Sequence, residues 1–411
     1  MIEFNQFKLK NGLHVIVHED PYVQTAVVNL MYNVGSKNEA SHKTGFAHLF
    51  EHLMFGGSKH VKNYDAALQL VGGENNAFTS PDITNYYITL PAQNIETAFW
   101  LESDRMLSLS FDPHVLEVQR KVVIEEFKQR YLNQPYGDVQ FLMREMAYQY
   151  HPYQWPTIGK EISHIEEATM DDVKDFFYRF YRPENAVLVV GGNVNTDQIK
   201  EMAEKWFGSI PSGKTASPDI PKEPEQQSKR FKKVVADVPS SAFYKCYHTC
   251  ARTDDAYYAT DIVSDILGSG KSSRLHQSLI DEQQVFTTIT ASVNGSIHPG
   301  LLTISGRLHE NISPEQAEEA VDQVIHDFFT NGISDDELFK VKNQAASGML
   351  FSQVDLLERC VGLAYAHTIG DANKVNTDIN IINDLTGEDL MTAAKKVLRE
   401  ENASVLYYEA T

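Results

Sequence analysis

The sequence predicts an α+β protein built as two homologous α/β halves, each a mostly antiparallel sheet with helices packed on one face. Three observations lead there. The opening strands give way to helices and then to a second strand pair, an α+β order rather than a strict strand–helix alternation. At 411 residues the chain exceeds one ordinary core and suggests about two domains. Thr169, Asp172, Asn185 and Ala186 recur as Thr386, Asp389, Asn402 and Ala403 at one offset of 217, and each set joins a predicted helix to a predicted strand. The expected organisation is therefore 1–213, a linker over 214–230, and a second half over 231–411.

Taken in order, residues 7–33 read as a hairpin region, with a turn at Asn11-Gly12 between Phe7 to Lys10 and Leu13 to Val17, followed by the strand Thr25 to Tyr32. Gly45 to Gly57 comes next and carries His48-Leu49-Phe50-Glu51-His52. In a helix, positions i, i+3 and i+4 share one face, so both imidazoles and the carboxylate point the same way. Phe46, Leu49, Phe50, Leu53, Met54 and Phe55 would bury the rest of that helix, and Gly56-Gly57 would end it. Two neutral imidazoles one turn apart form a chelate for a divalent metal, with zinc the default, and leave Glu51 available as a base. The alternative is an apolar helix with two core histidines.

A helix from Asp65 to Val71 is closed by Gly72-Gly73, and two strands follow, Asn76 to Thr79 and Thr84 to Leu90, around Ser80-Pro81-Asp82. A long helix starts at Asp112-Pro113, a cap followed by proline, and runs to about Asn133. Its apolar stripe of Val115, Leu116, Val122, Val123 and Phe127 also contains Gln119 and Glu126. An acid on a buried stripe is costly unless something charged answers it, which makes Glu126 the candidate third metal ligand. The first half closes with a helix from Thr169 to Tyr181, the strand Ala186 to Gly192 and a helix through Trp206-Phe207. Pro218, Pro221, Pro224 and many polar residues up to Lys229 have a linker composition. In the second half, Tyr258 to Gly268 takes the place of the histidine-bearing helix, with Thr260, Val263 and Ser264 where the first half has His48, Glu51 and His52. One half carries the metal and the other does not.

Lys plus Arg of 36 against Asp plus Glu of 56 gives a net charge of −20, which argues against nucleic acid and anionic membranes as partners. Three cysteines, Cys246, Cys250 and Cys360, imply no disulfide framework, and the strand-like run around Cys246 favours buried thiols over a metal site. No stretch approaches the roughly 18 apolar residues of a membrane span. Met1 to Leu9 does not have the form of a signal peptide, so a cytoplasmic chain, or a periplasmic one whose signal has been removed, is expected. His248 and His367 read as structural.

These residues resemble the inverted-zincin metallopeptidases of the pitrilysin family, in the branch of the mitochondrial processing peptidase and its small bacterial relatives. The resemblance rests on the motif together with Gly72-Gly73, Asn76 to Thr79, Asp82, Thr84 to Tyr86, Arg120 to Glu126, and His151-Pro152-Tyr153 with Gly159. It implies one zinc per chain held by His48, His52 and Glu126, with Glu51 as general base in peptide hydrolysis. It also implies that Asn76, Ala77, Phe78 and Thr79 form an edge strand that binds substrate backbone, and that two halves enclose a chamber selecting short or unfolded peptides.

Two departures stand out. Gln119 replaces an acid that usually supports the metal site from seven residues before the ligand glutamate. Leu279 and Phe286 stand where active relatives are expected to carry an arginine and a tyrosine that polarise the substrate carbonyl. The expectation is then a heterodimer, in which a homologous metal-free chain supplies the Arg/Tyr pair. A homodimer drawing on Arg274 or Tyr258 is the rival, and a non-catalytic peptide-binding or structural core subunit is the alternative function.

Overall fold

The computed structural model describes residues 1–213 and 219–411, so Pro218 of the expected linker lies outside the described residues, and residues 219–229 form no helix or strand. Two compact units are present. The first comprises Met1–Gln129, Trp155–Ile220 and Leu350–Thr377; the second comprises Arg130–Gln154, Pro221–Met349 and Asp378–Thr411. Each half of the sequence therefore contributes a segment to the other half's unit.

The first unit is built on a six-stranded sheet of β1 (Asn5–Lys8), β2 (His14–Glu19), β3 (Thr25–Tyr32), β4 (Glu74–Thr79), β5 (Thr84–Pro91) and β6 (Ala186–Gly192), in the order β1-β2-β6-β3-β5-β4. Only β2 and β6 run parallel. The expected hairpin exists between β1 and β2, but β3 is separated from β2 by β6. The reason is burial: β6 is buried at every residue, which demands a central position, whereas β1 is mostly exposed and suits an edge. Among the described residues β4 pairs with β5 alone and forms the opposite edge.

The second unit repeats this plan with β7 (Arg230–Ala236), β8 (Ala242–His248), β9 (Phe286–Val293), β10 (Leu301–Leu308) and β11 (Ala403–Ala410), ordered β7-β11-β8-β10-β9. Its one parallel pair is β7 with β11. Strand for strand, this is β2-β6-β3-β5-β4 again. The recurring residues hold equivalent places. Thr169 and Thr386 each cap a helix, Met170–Phe180 and Gly387–Val397, in a reciprocal box with Asp172 and Asp389. Such caps stabilise by about 1 kcal/mol each. Asn185 and Asn402 then bond the carbonyls of Phe180 and Val397, both at 2.8 Å, and turn the chain into β6 and β11.

Alternation along the strands creates two apolar faces per sheet. In β8, Phe243 and Tyr247 join the core formed with the helices Tyr257–Gly268 and Pro314–Asn331. Ala242, Tyr244 and Cys246 point the other way, into a cluster with Met143 and Ala147 of the helix Val139–Ala147. In the first unit, the helix Leu356–Thr368 packs on β6 and β3, with the Cys360 thiol against Gly191, where any added Cβ would come within 2.4 Å of it. Cys246 and Cys360 are buried free thiols, and burial pushes both up to about 12. Among the described residues no helix is long and apolar enough to cross a membrane.

Candidate metal centre

Phe46–Leu53 forms the expected helix, and its apolar side is anchored by rings. Phe50 lies 5.3 Å from Phe176, 6.1 Å from Phe177 and 4.6 Å from Tyr181. Phe55, Tyr64 and Tyr86 surround the guanidinium of Arg105, which is buried in an ion pair with Glu102 at 2.5 Å. Removing one partner of such a pair typically costs 3–5 kcal/mol.

With that side fixed, His48, Glu51 and His52 are left half-buried on the opposite side. The helix Pro113–Phe127, capped by Asp112 with Pro113 in its first turn, brings Glu126 to them. Leu116, Val123, Ile124 and Phe127 are its buried residues; Val122, expected on that stripe, is 44% exposed. The reason lies in the direction of Glu126. Val122 stands one turn before Glu126 on the side where that carboxylate turns toward His48 and His52, rather than on the side packed into the core.

Glu126 Oε2 lies 3.7 Å from His48 Nε2 and 3.6 Å from His52 Nε2. Three donors about 2.1 Å from a common tetrahedral centre sit roughly 3.4 Å apart, so these side chains fit a zinc ion with only small adjustment. Their chemistry, two imidazole nitrogens and one carboxylate oxygen, suits zinc as well. Among the described residues this is the only group of three or more His, Cys, Asp or Glu side chains that could hold a metal. In the second unit Thr260, Val263 and Ser264 are buried in Tyr257–Gly268 and provide no equivalent set.

Glu51 stands beside the triad without belonging to it. Burial lifts its carboxyl above its ordinary value, opposed by the Thr79 hydroxyl and the nearby His52 and reinforced by the charge of Glu126. Thr79 Oγ1 donates to Glu51 Oε2 at 2.5 Å. The edge strand therefore reaches the candidate base directly, a contact that sequence spacing could not reveal. Ala77 and Thr79 face the helix layer, while Asn76 and Phe78 are exposed on the other face of β4. Gln119 lies half-buried two turns before Glu126 on the same helix.

The expected Arg/Tyr positions need correction. Leu279 and Phe286 are both 0% exposed and belong to the core of the second unit, so neither position presents a side chain to a substrate. Their neighbours Ile280 and Thr287, also seven apart, are respectively half-buried and exposed. Neither carries a charge or a phenol. Arg274 is tied to Glu337 at 2.6 Å and to the Gly332 carbonyl, and Tyr258 is bonded to Asp378 and to Arg252.

One residue at the site escaped the sequence reading altogether. Glu39 accepts hydrogen bonds from the backbone N–H groups of Gly45 at 3.0 Å and Ala47 at 2.8 Å, and from the Trp155 indole at 3.1 Å. Burial pushes its carboxyl up to about 8 against these donors. The available signal was a negative one: the helix begins at Gly45, which has no side chain to cap it.

A family model described as insulinase (peptidase family M16) matches residues 14–161, and one described as peptidase M16 inactive domain matches 167–345. The chain is 30% identical over 408 residues to the zinc protease PqqE of Helicobacter pylori, covering 97% of this chain and 91% of that protein. It is 25% identical over 350 residues to the uncharacterized zinc protease YmxG of Bacillus subtilis, covering 84% of each. The crystal structure of a protease from Helicobacter pylori superposes with a TM-score of 0.94 at 28% identity over the whole of both chains. Pitrilysin shares the fold, with a TM-score of 0.79 at 17% identity over 99% of this chain and 45% of its own.

Proposed function

The chain belongs to the M16, or pitrilysin, family of peptidases, and on that premise we propose that it is a zinc metalloendopeptidase acting on short or unfolded peptides. The observation that carries this reading is the convergence of His48, His52 and Glu126 with Glu51 beside them, held by the edge strand. His48, His52 and Glu126 would hold one zinc per chain. Zinc bound there supplies Lewis acidity, polarising a carbonyl oxygen and lowering the pKa of water toward about 7.

The chain's own residues do the rest. Glu51 takes the proton of the attacking water on its free carboxylate oxygen and returns it to the leaving amine nitrogen. Thr79 fixes the other oxygen, so the proton is handled at one defined atom. β4 offers an unpaired edge to an extended peptide, and backbone pairing there aligns the peptide along the strand that ends at Glu51's partner. Recognition of this kind reads backbone more than side chains. The test is metal content together with hydrolysis of a quenched fluorescent peptide library, with Glu51→Gln as control.

The proposed assembly is a heterodimer. No cationic or phenolic side chain is available at 279, 280, 286 or 287, and Arg274 and Tyr258 are engaged elsewhere. A homologous metal-free chain would supply the Arg/Tyr pair that stabilises the developing oxyanion. Hydrolysis that appears only on mixing with such a chain supports this; full activity of the isolated chain sinks it. The same missing pair favours a second reading, a non-catalytic peptide-binding or core subunit, which a zinc content near zero would select.

A further inference from the structure

The helix Phe46–Leu53 has eight residues and carries three functional side chains, so small rotations of its first turn move His48 directly. Its start is unusual. Gly45 adopts φ +85°, and a Cβ there would meet the Ile158 carbonyl at 2.6 Å, so no capping side chain can stand at that position. The preceding Thr44 is also unavailable, because its hydroxyl bonds His164 Nδ1 at 2.8 Å and accepts from Lys160 N–H at 2.7 Å. Buried N–H groups at a helix start must nevertheless find acceptors.

We infer that Glu39 is a positioning residue for the metal centre, acting as the cap of the metal helix from outside that helix. One carboxylate oxygen takes the Ala47 N–H, and the other takes the Gly45 N–H and the Trp155 indole. Glu39 is only 8% exposed, so water cannot substitute for it.

The segment that carries Glu39 is itself clamped to the turn between β4 and β5. Ser36 N–H and Lys37 N–H bond the carbonyls of Ser80 and Pro81 at 3.3 and 3.0 Å, and Lys37 Nζ pairs with Asp82 at 2.8 Å in a buried bridge. β4 ends at Thr79, the partner of Glu51. Glu39 thus fixes the start of the helix at His48 to the same turn that fixes the base at Glu51, and the ligand and the base keep their spacing.

This inference rests on the metallopeptidase reading, so its test separates the two. Zinc affinity is measured by competition with a chromophoric chelator, and amide hydrogen exchange over residues 45–53 is measured in the metal-stripped protein. Wild type, Glu39→Gln and Thr386→Ala are compared; the last removes a cap from the helix Gly387–Val397 of the second unit. Glu39→Gln is expected to weaken zinc binding about tenfold, the lower end of the effect of supporting residues around metal ligands. It is also expected to accelerate exchange at Gly45 to Ala47, while Thr386→Ala leaves both readouts unchanged. Wild-type affinity and exchange in Glu39→Gln overturn the inference, as does an equal loss in Thr386→Ala.

Should Glu39→Gln fail to fold, Trp155→Phe, which keeps a ring but removes the indole donor, must shift both readouts in the same direction by less; no shift overturns the inference. A wild-type chain that binds no zinc defeats the metallopeptidase reading, while the exchange measurement still decides whether Glu39 holds the helix.

Discussion

Thr79, the last residue of the edge strand β4, donates its hydroxyl to the carboxylate of Glu51 on the helix that carries both histidines. On the proposed reading, the strand offered to substrate and the group that moves the proton are linked by one hydrogen bond.

Removing that bond tests the link. Hydrogen bonds to charged groups contribute about 1.5–3 kcal/mol, so Thr79→Val is expected to lower kcat by roughly one to two orders of magnitude. Zinc content should stay at the wild-type level, because Thr79 touches none of the three ligands. Steady-state kinetics with metal analysis on the same sample checks this; loss of zinc in step with activity would contradict it.

The proposed backbone pairing at β4 has a consequence for substrates. Peptides N-methylated at alternate positions lose the donors needed for strand addition, and are expected to show KM raised about tenfold or more for each lost pair of bonds that contributes about 1.4 kcal/mol. Side-chain changes at the same positions should matter far less. Equal sensitivity to both would point to side-chain pockets instead.

The missing arginine and tyrosine allow a graft. Leu279→Arg with Phe286→Tyr places a guanidinium in a closed core and is expected to destabilise the protein by about 3 kcal/mol or more. Ile280→Arg with Thr287→Tyr, at the outward neighbours, should be tolerated and should raise the activity of the isolated chain. Denaturant unfolding and peptide hydrolysis on both pairs read the two outcomes. Stability retained by the first pair would return the substrate-facing positions to 279 and 286.

A pH effect is expected in the first unit, away from the candidate metal centre. The rings of His14 in β2 and His367 in Leu356–Thr368 lie 4.5 Å apart. Burial, then the charge of His367 and of Lys8, holds His14 below its ordinary value. His367 is lowered by burial and by Lys8, with Asp371 opposing. Histidines depressed in the folded state take up protons first in the unfolded chain. Their contribution is complete above the unfolded value of about 6.5 and is lost as pH falls through the folded values. The thermal midpoint should drop on acidification below that point, and His367→Gln should flatten the slope; an unchanged slope would contradict the assignment.

Much of this was legible in the sequence, for local reasons. Helical spacing placed His48, Glu51 and His52 on one side, and an acid on an apolar stripe singled out Glu126. The repeated Thr-Asp caps and Asn turns pointed to the second unit, since those motifs depend only on neighbouring residues. What stayed hidden depends on partners distant along the chain. Glu39 reaches its helix across a loop, Thr79 reaches Glu51 through sheet register, and β6 enters between β2 and β3 from the far end of the first half. Leu279 and Phe286 were misread because a spacing of seven does not say which way the side chains point; burial does.

The most direct test of the central claim is zinc content and peptide hydrolysis measured on the same samples of wild type and Glu51→Gln, alone and with a homologous metal-free chain. About one zinc per chain is expected in both proteins, with hydrolysis by wild type and its partner that falls by roughly 10³-fold or more in Glu51→Gln, a barrier increase of about 4 kcal/mol. No bound zinc, or hydrolysis that survives the loss of the Glu51 carboxylate, would contradict it.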